Sequence, residues 1–271
     1  MSAGLVDTND IKSFIEDGWI EDVLFLVKSG KEANVYCCRA CPGRGHAFFA
    51  LKVYRPRKNR SFRDAAIYQE GRVITNARTA RAVRNKSRFG RAAEFGAWAY
   101  HEFAMLDLLH AAGVDVPRPV RAASNAILIE FVGQAGRPAP QLRNVRLSPA
   151  EAERLLEQAL RNIEIMLSCN VVHGDLSAYN MLYSGGQLRV IDLPQAVDAR
   201  TNRHAKSLLV RDVANVCGYF ASQGADAKPG TFAEELWELY LRAQLLGCTT
   251  TRSQVASDNS NDERVGRAYS G

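Results

Sequence analysis

The sequence predicts an α+β fold of two lobes, in which an antiparallel sheet with one long helix precedes a mainly helical half. Two observations support this prediction. Short runs rich in β-branched and aromatic residues, separated by glycine-containing turns, fill the first half. Apolar residues at helical spacing dominate the second half. The chain has 271 residues, of which 46% are hydrophobic and 24% charged, which is enough to bury a core in each lobe.

Each element of the first half follows from its apolar pattern. Ile11, Phe14 and Ile15 have helical spacing, and Gly18 ends that helix. Three strands follow, and a long helix ends before Gly113. Pro117 and Pro119 interrupt the chain before a further strand. The predicted ranges are a helix at 8–17, strands at 20–27, 33–39 and 47–54, a helix at 92–112 and a strand at 126–131.

The second half opens with Ser148-Pro149-Ala150-Glu151, which combines a capping serine, a proline at the first helical position and a glutamate that completes a capping box. Gly185-Gly186 predicts a hairpin turn between two short strands. The predicted ranges are helices at 148–168, 211–220 and 231–246, with strands at 171–172, 181–183 and 188–191.

The domain organisation that we predict has four parts and a hinge near 133–140. They are an N-terminal helix (1–18), a first lobe (19–133) with a basic flexible insertion (55–91), a second lobe (134–248), and a tail (249–271). The tail is rich in Thr, Ser, Asn, Asp and Arg, a composition that is typical of disorder.

Composition also limits the location of the protein. No apolar run reaches the roughly 18 residues needed to cross a bilayer, and the first ten residues lack the basic start and apolar stretch of an export signal. Six cysteines in a chain of this length do not form a disulfide framework. We therefore expect a cytoplasmic protein with reduced thiols and no contact with a membrane.

Positive charge is concentrated in one segment, Arg55–Arg91, which we call the basic segment. It holds twelve basic and two acidic residues. The excess of basic over acidic residues in this segment is larger than the net charge of +6 of the whole chain. If the segment is helical, Arg81, Arg84, Arg88 and Arg91 share a face. Such a face could bind the phosphates of RNA, a ribonucleoprotein or an acidic partner. The alternative is that the segment is a solvated loop without a binding partner.

The densest cluster of polar residues is His173-Gly174-Asp175-Leu176-Ser177-Ala178-Tyr179-Asn180, followed by Val190-Ile191-Asp192. Asp175 can orient or deprotonate an acceptor hydroxyl, while Asn180 and Asp192 can hold a magnesium ion that bridges nucleotide phosphates. An H-x-D-x-x-x-x-N pattern followed by a metal-binding aspartate is typical of protein-kinase-like enzymes. The spacing therefore predicts phosphoryl transfer.

The first half supplies matching parts. Lys52 lies inside an apolar strand, where an unpaired ammonium would be costly, and Glu102 on the long helix is its predicted partner. Between the first two strands, Ser29–Tyr36 occupies the position of a phosphate-covering loop but contains one glycine rather than three. We expect backbone N–H groups near Gly30, the Ser29 hydroxyl and Lys31 to contact phosphate oxygens.

These motifs resemble the RIO family of atypical protein kinases, most closely its type-1 branch and bacterial members. The matching segments are SGKEANVY (29–36), ALKVY (50–54), IEFVG (129–133), HGDLSAYNML (173–182) and IDLPQ (191–195), with a weaker match at RDVAN (211–215).

The resemblance implies a trimmed two-lobed kinase fold that binds ATP with Mg²⁺ or Mn²⁺. Lys52 would contact phosphates, and Glu130 and Val132 would offer backbone groups to adenine. Asp175 would be catalytic, with Asn180 and Asp192 as metal ligands. The basic segment would be a flexible loop that accepts phosphate in autophosphorylation, with candidate hydroxyls at Ser61, Thr75, Thr79 and Ser87.

The leading hypothesis is therefore an autophosphorylating Ser/Thr kinase. After Asp192 the chain reads Leu-Pro-Gln rather than Phe-Gly and no A-P-E follows, so the usual peptide-docking platform is missing. One alternative is an ATPase switch that forms an aspartyl-phosphate at Asp192. A second is a small-molecule phosphotransferase of the aminoglycoside or choline kinase type, which SGKEANVY and the basic segment disfavour. A third is a non-catalytic adaptor that binds RNA through the basic segment.

Overall fold

The computed structural model describes residues 8–55, 88–123, 125–134 and 136–245. Residues 56–87 of the basic segment and the predicted tail at 249–271 lie outside this part of the chain. The predicted phosphate acceptors Ser61, Thr75, Thr79 and Ser87 also lie outside it. Within the described residues, no helix combines the length and the hydropathy that crossing a bilayer requires.

A five-stranded antiparallel sheet forms the first half, with strand order β1-β2-β3-β5-β4. Its strands are β1 (Ile20–Ser29), β2 (Ala33–Ala40), β3 (Phe48–Tyr54), β4 (Pro119–Ala123) and β5 (Ala126–Glu130). Helix α1 (Thr8–Glu16) precedes the sheet, and helix α2 (Arg88–Ala111) comes between β3 and β4. The predicted strands and the long helix of this half are confirmed.

The two faces of the sheet have different neighbours. Phe14 of α1 is fully buried in a cluster with Phe49 and Leu51 of β3, and we call this side the α1 face. On the opposite side, Ile127 of β5 packs in the main core together with Leu106 of α2, and we call this side the α2 face. Because side chains alternate along a strand, Lys52 lies on the α2 face between Leu51 and Val53.

The second half is mainly helical. Its helices are α3 (Pro149–Ser168), α4 (Ala205–Ser222) and α5 (Pro229–Leu245), with a short 3₁₀ helix at Leu142–Asn144. Two-stranded pairs join β6 (Gly133–Gln134) to β7 (Arg137–Pro138), β8 (Val171–Val172) to β11 (Val197–Asp198), and β9 (Met181–Ser184) to β10 (Gln187–Val190). The Ser148 hydroxyl accepts a hydrogen bond from the Glu151 N–H, so the predicted N-cap of α3 is confirmed.

Two elements differ from the sequence prediction. A strand begins at Pro119, where we expected prolines to interrupt the structure, because β4 is an edge strand and the missing N–H of a proline is tolerated there. Helix α4 begins at Ala205 rather than at residue 211. Ala205, Leu208 and Leu209 are buried at helical spacing, so the apolar stripe of α4 begins before the predicted start of the helix.

Candidate active site

Three charged side chains from distant parts of the sequence, Lys52, Glu102 and Asp192, are linked by hydrogen bonds. The Lys52 Nζ donates to both carboxylate oxygens of Glu102 at 2.8 Å and to Asp192 Oδ1 at 2.8 Å. Lys52 comes from β3, Glu102 from α2, and Asp192 follows β10. The predicted Lys52–Glu102 pair is thus present, and the aspartate that sequence analysis assigned to the metal completes it.

Burial affects the pKa values of these three charged groups. The Glu102 side chain is 2% exposed and that of Lys52 is 11% exposed, whereas that of Asp192 is 40% exposed. Burial alone would lower the pKa of Lys52, but the carboxylates of Asp192 and Glu102 outweigh this effect and raise it. The Lys52 ammonium holds the pKa of Asp192 below its ordinary value despite burial. Lys52 and Asp192 are therefore both ionised at neutral pH.

The backbone at Asp192 is held in an unusual conformation. Its φ angle is +70°, in the left-handed region that residues other than glycine seldom adopt. The next residue, Leu193, donates its N–H to Glu102 Oε1 at 3.2 Å. Glu102 therefore binds both the Lys52 ammonium and the chain that follows Asp192. These bonds keep the Asp192 carboxylate beside Lys52 at the cost of local strain.

Asp175 and Asn180 lie together in loop 173–180, between β8 and β9. Asn180 Nδ2 donates to the Asp175 backbone carbonyl at 2.8 Å and to Asp175 Oδ2 at 3.1 Å. The backbone carbonyl of Asn180 accepts from Ile191 N at 2.9 Å, which links this loop to the residue before Asp192. Asp175 is exposed and Asn180 is 6% exposed. The Asp175 carboxylate thus faces solvent on a buried support.

The residues of this site fit a divalent cation by their chemistry. Because Asn180 uses its amide nitrogen on Asp175, its amide oxygen Oδ1 is the atom that can coordinate a metal. Only Oδ1 of Asp192 is engaged by Lys52, and Mg²⁺ prefers oxygen ligands of this kind. Asn180 and Asp192 are the residues that would hold it.

Loop 173–180 is also supported from below by α4. Asp212, 2% exposed, accepts from Gly174 N at 2.7 Å with Oδ2 and from Leu176 N at 3.0 Å with Oδ1. Asn215, one turn further along α4, donates to the Leu176 carbonyl at 3.3 Å. Burial raises the pKa of Asp212 to about 6, although the two N–H groups oppose that shift.

Sequence analysis noted RDVAN (211–215) as a weak match but assigned no role to Asp212. A signal was available: an aspartate occurs within the apolar stripe of a helix beside Leu208, Leu209 and Val213. A buried carboxylate in such a place requires hydrogen-bond donors, and here the donors are the backbone of loop 173–180.

Ser29 and Gly30 of the loop between β1 and β2, which we predicted to contact phosphate, are hydrogen-bonded within the protein. The Ser29 hydroxyl accepts from Arg55 Nη2 at 2.7 Å, and the same guanidinium donates to Asn34 Oδ1. Ser29 pairs with Asn34, and Asn34 pairs with Val53, which packs on the α1 face. The structure therefore brings the Ser29 side chain to Arg55 and not to Lys52. Gly30 N donates to Ala33 O at 2.9 Å, so this amide closes the turn.

Lys31 is exposed at the tip of that turn. Glu130 and Val132 lie at the end of β5 and just beyond it. The Glu130 N–H donates to Arg118 O at 2.8 Å, and the Val132 carbonyl accepts from Ala139 N at 2.9 Å. The N–H of Val132 is a backbone group at this position that can meet a base.

Comparison with known proteins places this geometry in a family. A RIO domain model matches residues 34–231. The RIO-type serine/threonine-protein kinase Rio1 of Haloferax volcanii is 35% identical over 218 residues, which cover 80% of this chain and 69% of the relative. The serine/threonine-protein kinase RIO1 of Homo sapiens is 32% identical over 265 residues, covering 93% of this chain but 44% of the relative. The chain therefore spans less than half of that human protein.

Solved structures agree on the fold. A crystal structure described as the Rio2 kinase-ADP/Mg²⁺-phosphoaspartate complex from Chaetomium thermophilum has a TM-score of 0.62 and 18% identity, covering 94% of this chain and 74% of that one. Another Rio2 structure from the same organism has a TM-score of 0.64 and 19% identity, covering 97% and 80%. The two-lobed kinase-like fold predicted from the sequence is thus confirmed, and this chain belongs to the RIO family of serine/threonine-protein kinases.

Proposed function

We propose that this protein transfers the γ-phosphoryl group of ATP to a serine or threonine hydroxyl in the presence of Mg²⁺ or Mn²⁺. The observation that carries the proposal is the double engagement of Lys52, whose Nζ lies 2.8 Å from both Glu102 and Asp192. A lysine positioned by a helix glutamate, beside a metal-binding aspartate, is the arrangement that kinases use to hold nucleotide phosphates. The membership of the RIO family supports the same reaction.

Each residue has one task in this reaction. Asp175 accepts the proton of the acceptor hydroxyl, whose oxygen forms a bond to the γ-phosphorus while the bond to the β–γ bridging oxygen breaks and ADP leaves. Lys52 binds phosphate oxygens, and Glu102 keeps its ammonium in position. Asn180 and Asp192 would hold the cation, which would offset charge on the phosphates. The N–H of Val132 and the backbone of Glu130 orient adenine.

The acceptor hydroxyl that we propose belongs to this chain itself. Residues 193–204, which include β11, connect Asp192 to α4, and the sequence has no A-P-E motif to build a peptide-docking platform. A tethered segment avoids the entropic cost of capturing a separate peptide. Ser61, Thr75, Thr79 and Ser87 in the basic segment are the candidates, since that segment begins at the end of β3.

The test uses the whole purified protein with γ-labelled ATP and Mg²⁺, with label on protein and free phosphate measured together. We expect acid-stable label on serine or threonine in the wild type and none in Asp175→Ala or Asp192→Asn. Label that persists at the wild-type rate in both variants would exclude this site as the source of the activity.

An ATPase switch through an aspartyl-phosphate at Asp192 is the second candidate. It is favoured by the 40% exposure of an ionised carboxylate whose second oxygen, Oδ2, is not held by Lys52. In that reaction the Asp192 carboxylate attacks the γ-phosphorus, ADP leaves, and water later hydrolyses the acyl phosphate. Label that hydroxylamine removes, and that Asp192→Asn abolishes, distinguishes this reaction from phosphorylation of serine.

For the basic segment, we propose contact with RNA or a ribonucleoprotein in the cytoplasm. Twelve basic residues against two acidic ones support binding to phosphates, and the cysteines of the described part of the chain are free thiols, as expected in a reducing compartment. Charge reversal at Arg78, Arg81, Arg84 and Arg88 should weaken RNA binding and reduce its salt dependence. Binding with an unchanged salt dependence would contradict this assignment.

A further inference from the structure

Lys28, next to the serine that sequence analysis selected, lies in one row with Lys52. Lys28 of β1 pairs with Val35 of β2, and Val35 pairs with Lys52 of β3. Residues directly opposite each other in antiparallel strands place their side chains on the same face. Lys28 is therefore on the α2 face, two strands from Lys52, with about 10 Å between their backbones.

An irregularity in β1 determines this face. Leu26 pairs with Tyr36, which packs on the α1 face, whereas Lys28, two residues later, pairs with Val35 on the α2 face. In a regular strand residues 26 and 28 would share a face. The register shift between them moves Lys28 to the side of Lys52 and leaves Ser29 with Asn34 on the other side.

Two groups of the β1–β2 loop that could bind phosphate are already used within the protein. Gly30 N is bonded to Ala33 O, so it does not serve a phosphate as the amides of a glycine-rich loop do. The Ser29 hydroxyl is bonded to Arg55. A side chain can then meet a phosphate group under this loop, and the strand pairing places Lys28 on the α2 face.

Charge at Lys28 extends to the active site. The Lys28 ammonium interacts electrostatically with the Asp192 carboxylate. Lys28 is exposed, and none of the carboxylates that the structure describes lies within 4 Å of its Nζ. Its ammonium is thus available to an anion placed between β1 and Asp192.

We propose that Lys28 binds the β- or γ-phosphate of the nucleotide opposite Lys52, and so makes the site selective for di- and triphosphates over a monophosphate. This inference rests on the proposed function, since it deepens the assignment of the nucleotide site. It also replaces the Ser29 hydroxyl as the phosphate-binding group of this loop.

The test measures the dissociation constants of ATP, ADP, AMP and adenosine by calorimetry, with Mg²⁺, for the full chain and three variants. We expect Lys28→Ala to weaken ATP binding about five- to twentyfold while adenosine and AMP binding change less than about twofold. Lys28→Arg should restore most of the affinity. Lys12→Ala is the matched control, because Lys12 is an exposed lysine on α1, across the sheet from this site, and it should behave as wild type.

Two results would overturn the inference while leaving ATP binding intact. One is wild-type affinity for ATP in Lys28→Ala. The other is an equal loss for ATP and adenosine, which would mean that the substitution disturbs the fold rather than a phosphate contact. Wild-type protein that binds no ATP at all would instead refute the proposed function, so the two failures are distinguishable.

Discussion

Two loops border the same site and are held in opposite ways. Loop 173–180 rests on buried side chains, because Asp212 accepts from the N–H groups of Gly174 and Leu176 and is itself 2% exposed. The β1–β2 loop is held at the surface, where exposed Arg55 bridges Ser29 and Asn34. Hydrogen bonds at a buried site cost more to break than bonds at an exposed one, since water replaces only the latter.

We propose that the loops divide the work: loop 173–180 serves the chemical step and the β1–β2 loop binds the nucleotide. A rigid loop keeps Asp175 and Asn180 at fixed positions relative to Asp192, as the proposed proton transfer and metal binding require. A loop with surface contacts can adjust over phosphate groups and release them afterwards. We therefore expect substitutions under loop 173–180 to reduce turnover and stability together, and substitutions at the β1–β2 loop to change nucleotide affinity with little effect on stability.

The largest effect should come from Asp175→Ala. Removing the group that we propose as acceptor of the hydroxyl proton should lower the rate of phosphoryl transfer about 10²- to 10⁴-fold. The free energy of unfolding should change by less than about 0.5 kcal/mol, because Asp175 is exposed and Asn180 keeps its bond to the Asp175 backbone carbonyl. Labelling kinetics and urea unfolding check both values. A large loss of stability would show that Asp175 supports the loop rather than the chemistry.

Asp212→Asn should give the next largest effect and tests the buried support directly. One of the two backbone N–H groups would face the amide nitrogen of Asn and lose its acceptor, which we expect to cost about 2 kcal/mol of stability. Displacement of loop 173–180 should lower turnover about 10- to 100-fold with the ATP dissociation constant nearly unchanged. Turnover equal to wild type would contradict the view that the buried support of loop 173–180 positions the catalytic groups.

The pH dependence of stability offers a second measurement on Asp212. Its pKa in the folded protein is raised by burial to about 6 from 3.8, so the folded state binds a proton more tightly than the unfolded chain. The resulting stabilisation is fully present below pH 4 and is lost as the pH rises through 6. Relative to Asp212→Asn, the wild type should gain about 2 kcal/mol between pH 7 and pH 4. Parallel pH profiles of the two proteins would contradict this.

The smallest effect should come from Arg55→Ala in the β1–β2 loop. Loss of an exposed guanidinium should change the free energy of unfolding by less than about 0.5 kcal/mol. ATP affinity should fall about two- to threefold because the loop is less ordered, and turnover at saturating ATP should stay near wild type. Calorimetry and steady-state labelling test these values. A fall in turnover as large as that of Asp212→Asn would mean that both loops belong to one rigid unit.

Most of the fold and the central charged residues were predictable from the sequence. Strand composition and helical stripes located every strand of the sheet except β4, and the spacing of Asp175, Asn180 and Asp192 indicated phosphoryl transfer. Lys52 and Glu102 were paired because a lysine in an apolar strand requires a counter-charge. Asp212 was missed, since its donors are backbone groups more than thirty residues away in the sequence.

The sequence by itself determined which chemical groups are present and how they are spaced along the chain. Only the tertiary structure decided which of them face one another. Ser29 and Lys28 are neighbours in the sequence, and composition gives no reason to prefer one of them as the phosphate-binding residue. The register shift in β1 places Lys28 on the same face as Lys52 and Ser29 on the opposite face, where its hydroxyl accepts a hydrogen bond from Arg55. The physical reason is that the side-chain period of a strand is two, so one extra residue in the pairing exchanges the faces of all that follow.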